Sequence, residues 1–269
     1  MSETPGSTPA RTIVVADPHA TPELFLGVLE HSGYDREADR LIVAGDLLDI
    51  GPDPKGLLDA VQEFGAEVLL GNHEQAAMTG HEISEASPQS PQFVPLLREK
   101  VMGREWKIAA AVGDILVTHA GVGIGYTPEF EAAGSDLTRF AEWLNDEFVA
   151  DLELFEKDGF VEQKSWSMLA PLRWRPRMSA PLPVRQIFGH TPPSAIVDLS
   201  GLESRGIFAI DPDVRPHDYF GAPLRMRYAV VDAAGIVSVI DQELHVTGSV
   251  EARPPAVSFW DLDLPIDGA

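Results

Sequence analysis

The 269-residue chain contains no cysteine. This excludes disulfide frameworks, thiolate zinc sites and cysteine nucleophiles. Any metal would have to be held by His, Asp, Glu or Asn, a donor set suited to harder or borderline ions. Basic residues are scarce, with 20 Lys and Arg against 42 Asp and Glu, for a formal net charge of −22. Such a field repels polyanions and argues against non-specific nucleic-acid binding. The acids are spread along the chain, so their first reading is solubility, and an anionic ligand would need a local positive site. Long apolar runs are also missing, and no segment has the length of a membrane span. Met1 to Ala10 has no charged stretch followed by an apolar one, so it does not read as a signal peptide. The expectation is a soluble cytoplasmic protein with no membrane partner, a disordered segment over 1–10 and a loose tail over 254–269.

What is present is an ordinary apolar fraction, 44%, enough for a core without covalent staples. Short apolar runs alternate with helical patterns. TIVVA (Thr12 to Ala16), RLIVA (Arg40 to Ala44) and EVLL (Glu67 to Leu70) read as strands. Helices are expected from Thr21–Pro22 to about His31, with Thr21 as cap, and from about Pro54 to Phe64. That order predicts a mainly parallel sheet with helices outside. Trp106 to Val112 and Asp114 to Thr118 read as a hairpin about Gly113. A helical face follows at Leu137, Phe140, Ala141, Leu144 and Phe148 within Ser135 to Lys157. Strands are expected again at Gln186–Phe188, Gly206–Ile210, Arg227–Val231 and Ile236–Ile240. Both halves supply strands, so the predicted class is α/β, a four-layer α/β/β/α sandwich of two packed mixed sheets. One domain would cover 11–253, with helical insertions or a cap over about 75–103 and 126–180.

One pattern stands out. Residue types that ligate metals follow apolar runs: Asp17 and His19 after IVVA, Asp46 after LIVAG, Asn72 and His73 after VLLG, His119 after ILVT, His190 after QIFG. In open α/β sheets ligands collect beyond the carboxyl ends of strands, so these groups are expected to converge. Taken singly, each has an ordinary explanation: Asp after a strand is usually a turn former or cap. Jointly, Asp17, His19, Asp46, Asn72, His119 and His190 suit two cations roughly 3.5–4 Å apart that share Asp46.

Five blocks occur in order: DPH (Asp17 to His19), GDLLDIG (Gly45 to Gly51), GNHE (Gly71 to Glu74), HAG (His119 to Gly121) and GHT (Gly189 to Thr191). Together they resemble the calcineurin-like metallophosphoesterases, and more closely the bacterial phosphoprotein-phosphatase branch, which includes symmetrical dinucleoside-tetraphosphate hydrolases. The resemblance implies that Asp17, His19 and Asp46 hold one metal and that Asn72, His119 and His190 complete the second, with Asp46 bridging. It implies His73 as general acid and Asp49 as the residue that orients it. The cofactor would be two divalent ions, manganese by preference, with iron, zinc, nickel or magnesium as alternatives. A metal-bridging hydroxide would attack a phosphomonoester on a protein or small molecule. The alternatives are a nucleotide anhydride such as a dinucleoside tetraphosphate, or an inactive binding protein retaining the fold. The partner is thus a phosphorylated protein, small molecule or nucleotide.

The chain departs from the family pattern at Ile50, where an Arg commonly grips phosphate, and at Ala16 and Ala20, where Gly is usual. PLRWRPR (Pro171 to Arg177) offers a replacement clamp, with Arg175 chosen and Arg173 and Arg177 as alternatives, by the fit of a guanidinium fork to phosphate. Trp143, Trp166 and Trp174 read as packing residues. His31, His81, His217 and His245 lack the strand-end context.

Overall fold

The computed structural model describes residues 9–81, 83, 86–152, 172–177, 179–214 and 224–244. The expected segment over 1–10 (all but its last two residues), the tail over 254–269, Trp166, His217 and His245 lie outside the described residues, as does the end of the helix expected to reach Lys157.

Side chains along strand β1 (Arg11–Val15) point alternately to the two sheet faces. Ile13 and Val15 join one apolar cluster, and Val14 with the following Ala16 join another. Strand β2 (Arg40–Ala44) repeats this division, with Leu41 and Val43 on one side and Ile42 and Ala44 on the other. Both faces are therefore buried, and this is why these strands read as unbroken apolar runs. The second cluster also receives Ala110, Ile115, Val117 and Ile187 from the other half of the chain. It is the seam between two sheets, and each of its larger side chains contributes roughly 1.5–3 kcal/mol by leaving water.

The first sheet has the order β3-β2-β1-β8-β9, with β3 at Glu67–Leu69, β8 at Leu224–Asp232 and β9 at Val237–Leu244. β1, β2 and β3 run parallel, while β8 is antiparallel to both β1 and β9. The second sheet has the order β4-β5-β6-β7, with β4 at Ala109–Val112, β5 at Ile115–Thr118, β6 at Arg185–Phe188 and β7 at Ile207–Ala209. There β5, β6 and β7 are parallel and β4 pairs antiparallel with β5. Two mixed sheets with flanking helices make the expected α/β fold.

Helix α1 (Pro22–Ser32) buries Leu24, Phe25, Val28 and Leu29, packs against β8, and stops at Gly33 in the left-handed region. Thr21 stands at its N-cap with Pro22 as the first helical residue, as expected, but the Thr21 hydroxyl makes no cap hydrogen bond and donates instead to the His19 carbonyl at 2.8 Å. Helix α2 (Pro54–Glu63) is capped by Asp53, which accepts from the Gly56 amide at 2.8 Å. Helices α3 (Asn72–Thr79) and α4 (Val94–Met102) occupy the stretch expected to be an insertion. After the short α5 (Thr127–Ala132), α6 (Leu137–Ala150) buries Phe140, Ala141, Leu144 and Phe148 against β4 and β5. Helix α7 (Leu199–Glu203) precedes β7.

One strand is shorter than expected. Trp106 to Ile108 do not belong to β4. Lys107 instead pairs with the edge of β3, its amide donating to Val68 at 3.0 Å and its carbonyl accepting from Leu70 at 2.7 Å. The chain thus crosses from one sheet to the other at Ile108. Among the described residues no helix is long and apolar enough to cross a membrane.

Candidate metal centre

The six strands that run parallel within their sheets all end at one place. β1 leads to Asp17 and His19, β2 to Asp46, β3 to Asn72 and His73, β5 to His119, β6 to His190 and β7 to Asp211. Asp46 lies in two overlapping groups, one with His19 and His73 and one with His119 and His190. Within each group the ligand-type atoms lie within 4.8 Å of one another. Asp46 Oδ2 is 3.7 Å from His19 Nε2, 3.7 Å from His73 Nε2 and 3.5 Å from His119 Nε2. Asn72 Oδ1 lies 3.0 Å from His119 Nε2. Asp17 accepts the His190 amide with both oxygens at 3.0 Å, and its Oδ1 is 3.9 Å from His119 Nδ1.

These positions require unusual backbone. Asp17, His19, Asp46, Asp49, Ile50 and His190 all have φ between 40° and 66°, a region uncommon for residues with a β-carbon. Strain of this kind costs on the order of 1–3 kcal/mol per residue and clusters at functional sites. The glycines in the motif blocks serve a different need, close approach. A β-carbon on Gly71 would sit 2.1 Å from Asp46 Oδ1, and one on Gly189 would sit 1.7 Å from Asp17 Oδ2.

The hydrogen bonds define what the centre can accept. His119 Nδ1 lies 3.0 Å from the Ala44 carbonyl, which can only accept, so Nδ1 carries the proton and Nε2 presents its lone pair. That lone pair faces Asn72 Oδ1 and Asp46 Oδ2. His19 is oriented in the same way, with Nδ1 3.2 Å from the Leu48 carbonyl. Electron pairs converging without a proton between them repel, and a cation is what such a pocket fits. The imidazoles are also in the right form. Burial depresses His19 to about 4, with the attraction of Asp46 too weak to offset it. Burial likewise lowers His119, and lowers His190 strongly with help from the neighbouring His119. Neutral imidazole is the ligating form. Burial would raise Asp46, but His119, His73 and His19 overcome this and hold it well below the usual carboxylate range. The donor set therefore fits divalent cations, and Asp46 stands where a shared ligand would.

His73 differs from the other three. Burial would lower it, but Asp46 and the Asp49 hydrogen bond push it up to about 9. Its Nδ1 is 2.7 Å from Asp49 Oδ2, leaving Nε2 turned toward Asp46. Its ring stands edge-on to His19 with centroids 5.0 Å apart.

Arg175 is half-buried and its guanidinium lies in the field of the acidic centre. Burial and the nearby Arg177 lower it, while Asp211, Asp46 and Asp17 act in the opposite sense. Arg173 is close enough to depress both His119 and His190. Arg177 is exposed and lines a separate cavity of about 230 Å³ with Pro181, Ile196 and Arg205. Trp174 is fully buried, packs edge-on against Phe188 and donates to Ser179 at 2.9 Å, as a packing residue should. His31 is bonded to the Tyr228 hydroxyl at 2.8 Å and takes no part in the centre.

Three polar groups at this place were not singled out from sequence. Glu74 is fully buried and accepts from the amides of Asp46, Leu47, Leu48 and Gly71 at 2.8–3.0 Å. Burial and Asp46 raise its carboxyl to about 7. Asp211 follows GIFAI by the same strand-end rule as the others, and burial lifts it to about 7. That rule, applied once more, would have found it. Ser90 carried no sequence signal; it donates its hydroxyl to Asp49.

Comparison with known proteins agrees with this architecture. The chain is 34% identical over 74 residues to serine/threonine-protein phosphatase 1 of Salmonella typhimurium (strain LT2), a match spanning 28% of this chain and 34% of that protein. Its fold is similar to the cold-active protein-tyrosine phosphatase of a psychrophilic Shewanella species, with a TM-score of 0.53 and 14% identity over 86% of this chain and 80% of the other. It is also similar to a protein serine/threonine phosphatase from Saccharomyces cerevisiae, with a TM-score of 0.52 and 14% identity over 90% and 82% of the two chains. The family model for calcineurin-like phosphoesterases matches residues 10–215, and the chain belongs to that family.

Proposed function

We propose that the protein is a metal-dependent phosphatase that hydrolyses phosphomonoesters on a protein or small molecule at a dinuclear centre. The observation that carries this reading is the convergence of Asn72 Oδ1, Asp46 Oδ2 and His119 Nε2, three acceptors facing one another at the ends of parallel strands. Asp17, His19 and Asp46 would hold one divalent ion, and Asp46, Asn72, His119 and His190 the other, with manganese the preferred metal. When bound, such ions acidify water and neutralise phosphate oxygens. Arg175 binds a phosphate oxygen through its guanidinium fork. His73 donates its Nε2 proton to the leaving oxygen as the P–O bond breaks, and Asp49 keeps Nδ1 protonated so that the donor points inward. No side chain needs to accept the phosphoryl group.

The phosphomonoester reading is favoured over a nucleotide anhydride by the 34% identity to a protein phosphatase, although the match covers about a third of that relative. The test is a panel of para-nitrophenyl phosphate, bis-para-nitrophenyl phosphate, phosphopeptides and diadenosine tetraphosphate with added manganese. The monoesters should turn over fastest. Preference for the tetraphosphate would reassign the substrate, and no turnover of any of them would end the enzymatic reading.

A further inference from the structure

Asp49 has two oxygens and uses them differently. Oδ2 meets His73 at 2.7 Å. Oδ1 takes two donors from a segment outside the motif blocks, the Ser87 amide at 2.7 Å and the Ser90 hydroxyl. A carboxylate terminus is a broad rotor, and two donors on one oxygen fix its plane.

Ser90 is itself held firmly. It is 4% exposed. Its amide donates to the Ser87 carbonyl at 3.1 Å, and the Gln89 amide donates to the Ser87 hydroxyl at 3.2 Å, closing a turn. The 3₁₀ turn Ser90–Phe93 and α4 then bury Phe93, Leu97 and Val101 in the core. The stretch that sequence suggested as a cap thus braces the residue that orients His73.

We propose that Ser90 is a positioning residue for proton donation to the leaving group, acting through Asp49 on His73. This rests on the reading of His73 as the proton donor. Without the Ser90 hydroxyl, Asp49 keeps only the Ser87 amide on Oδ1, its plane rotates, and Nε2 no longer aims reliably at the leaving oxygen. The loss then depends on how much the leaving group needs a proton: an alkoxide needs one, and para-nitrophenolate leaves nearly unaided.

The experiment compares wild type, Ser90→Ala, Ser90→Thr and His73→Asn on para-nitrophenyl phosphate, phenyl phosphate and glycerol 2-phosphate with added manganese. Ser90→Ala should lower kcat on glycerol 2-phosphate by about tenfold, the loss of one charge-assisted hydrogen bond, and by less than about threefold on para-nitrophenyl phosphate. KM should stay within about twofold. Ser90→Thr, which keeps the donor, should recover most of the loss. An equal loss on all three esters would make Ser90 structural and overturn the proposal. If His73→Asn shows the leaving-group dependence and Ser90→Ala does not, only the Ser90 proposal falls. If His73→Asn shows none, the proton-donor reading falls first and takes this one with it. Should Ser90→Ala not fold, Ser90→Cys, a weak donor of similar shape, replaces it, with kcat expected between wild type and His73→Asn on glycerol 2-phosphate and a flat profile overturning the idea.

Discussion

Glu74 Oε2 accepts the backbone amide of Asp46 at 3.0 Å, tying the helix after β3 to the loop after β2. The same carboxylate takes the amides of Leu47, Leu48 and Gly71. Two loops that each carry candidate ligands are therefore set by one buried side chain. Glu74→Gln exchanges one acceptor oxygen for an amide group that would face N–H donors. We expect a loss of stability of about 1–3 kcal/mol and a fall in manganese affinity of roughly 10–100-fold. Thermal melts with and without manganese check both.

Gly189→Ala should damage the site without unfolding the chain. Its new methyl would lie 1.7 Å from Asp17 Oδ2, while the strand it follows stays paired with β5 and β7. Asp17 must then move, and with it the acceptor of the His190 amide. The expected result is a far-ultraviolet circular dichroism spectrum like wild type and metal binding weakened by at least about tenfold. Unchanged binding in calorimetry would contradict it.

Arg175→Ala should raise KM for para-nitrophenyl phosphate by about tenfold or more, since it removes a charged partner of phosphate. Arg175→Lys should recover only part of this, because a point charge replaces a fork. A KM unchanged by Arg175→Ala but raised by Arg173→Ala would transfer the clamp to Arg173.

Away from the centre, Asp39 is paired with Arg11 at 2.9 Å. Burial would raise its carboxyl, but the Arg11 hydrogen bond and the Asp35 amide hold it below its ordinary value of 3.8. A folded-state value below the unfolded one adds stability above the unfolded value, and this is lost as pH falls through the folded one. Wild type should therefore lose stability below about pH 4 more steeply than Asp39→Asn, which should be the less stable of the two at neutral pH. Urea melts at pH 3, 4, 5 and 7 measure this, and parallel curves would refute it.

Much of this structure could be read from the sequence for a simple reason. Strands buried on both faces are apolar runs, and a polar residue directly after such a run has left the sheet. Asp17, His19, Asp46, Asn72, His73, His119 and His190 were visible on that account, and the motif blocks supplied the role expected of His73. Lys107 was misplaced in β4 because extended backbone looks the same whichever sheet it pairs with; its hydrogen bonds to Val68 and Leu70 distinguish them. Thr21 does stand at the N-cap of α1, but its hydroxyl donates to the His19 carbonyl in the preceding turn and accepts no helix amide, a detail that position in the sequence does not encode. Ser90 was not visible at all. Its role comes from a contact across 41 residues with Asp49, and no local pattern encodes that.

The proposed chemistry requires the converging acceptors to hold a pair of cations through Asp46. The most direct measurement is the metal-to-protein ratio by elemental mass spectrometry after reconstitution with manganese and exhaustive desalting. The wild type should carry two ions per chain, and Asp46→Asn should lose bound metal with hydrolysis abolished. A wild-type protein that retains no metal, or an Asp46→Asn variant that keeps two ions and full activity, would contradict it.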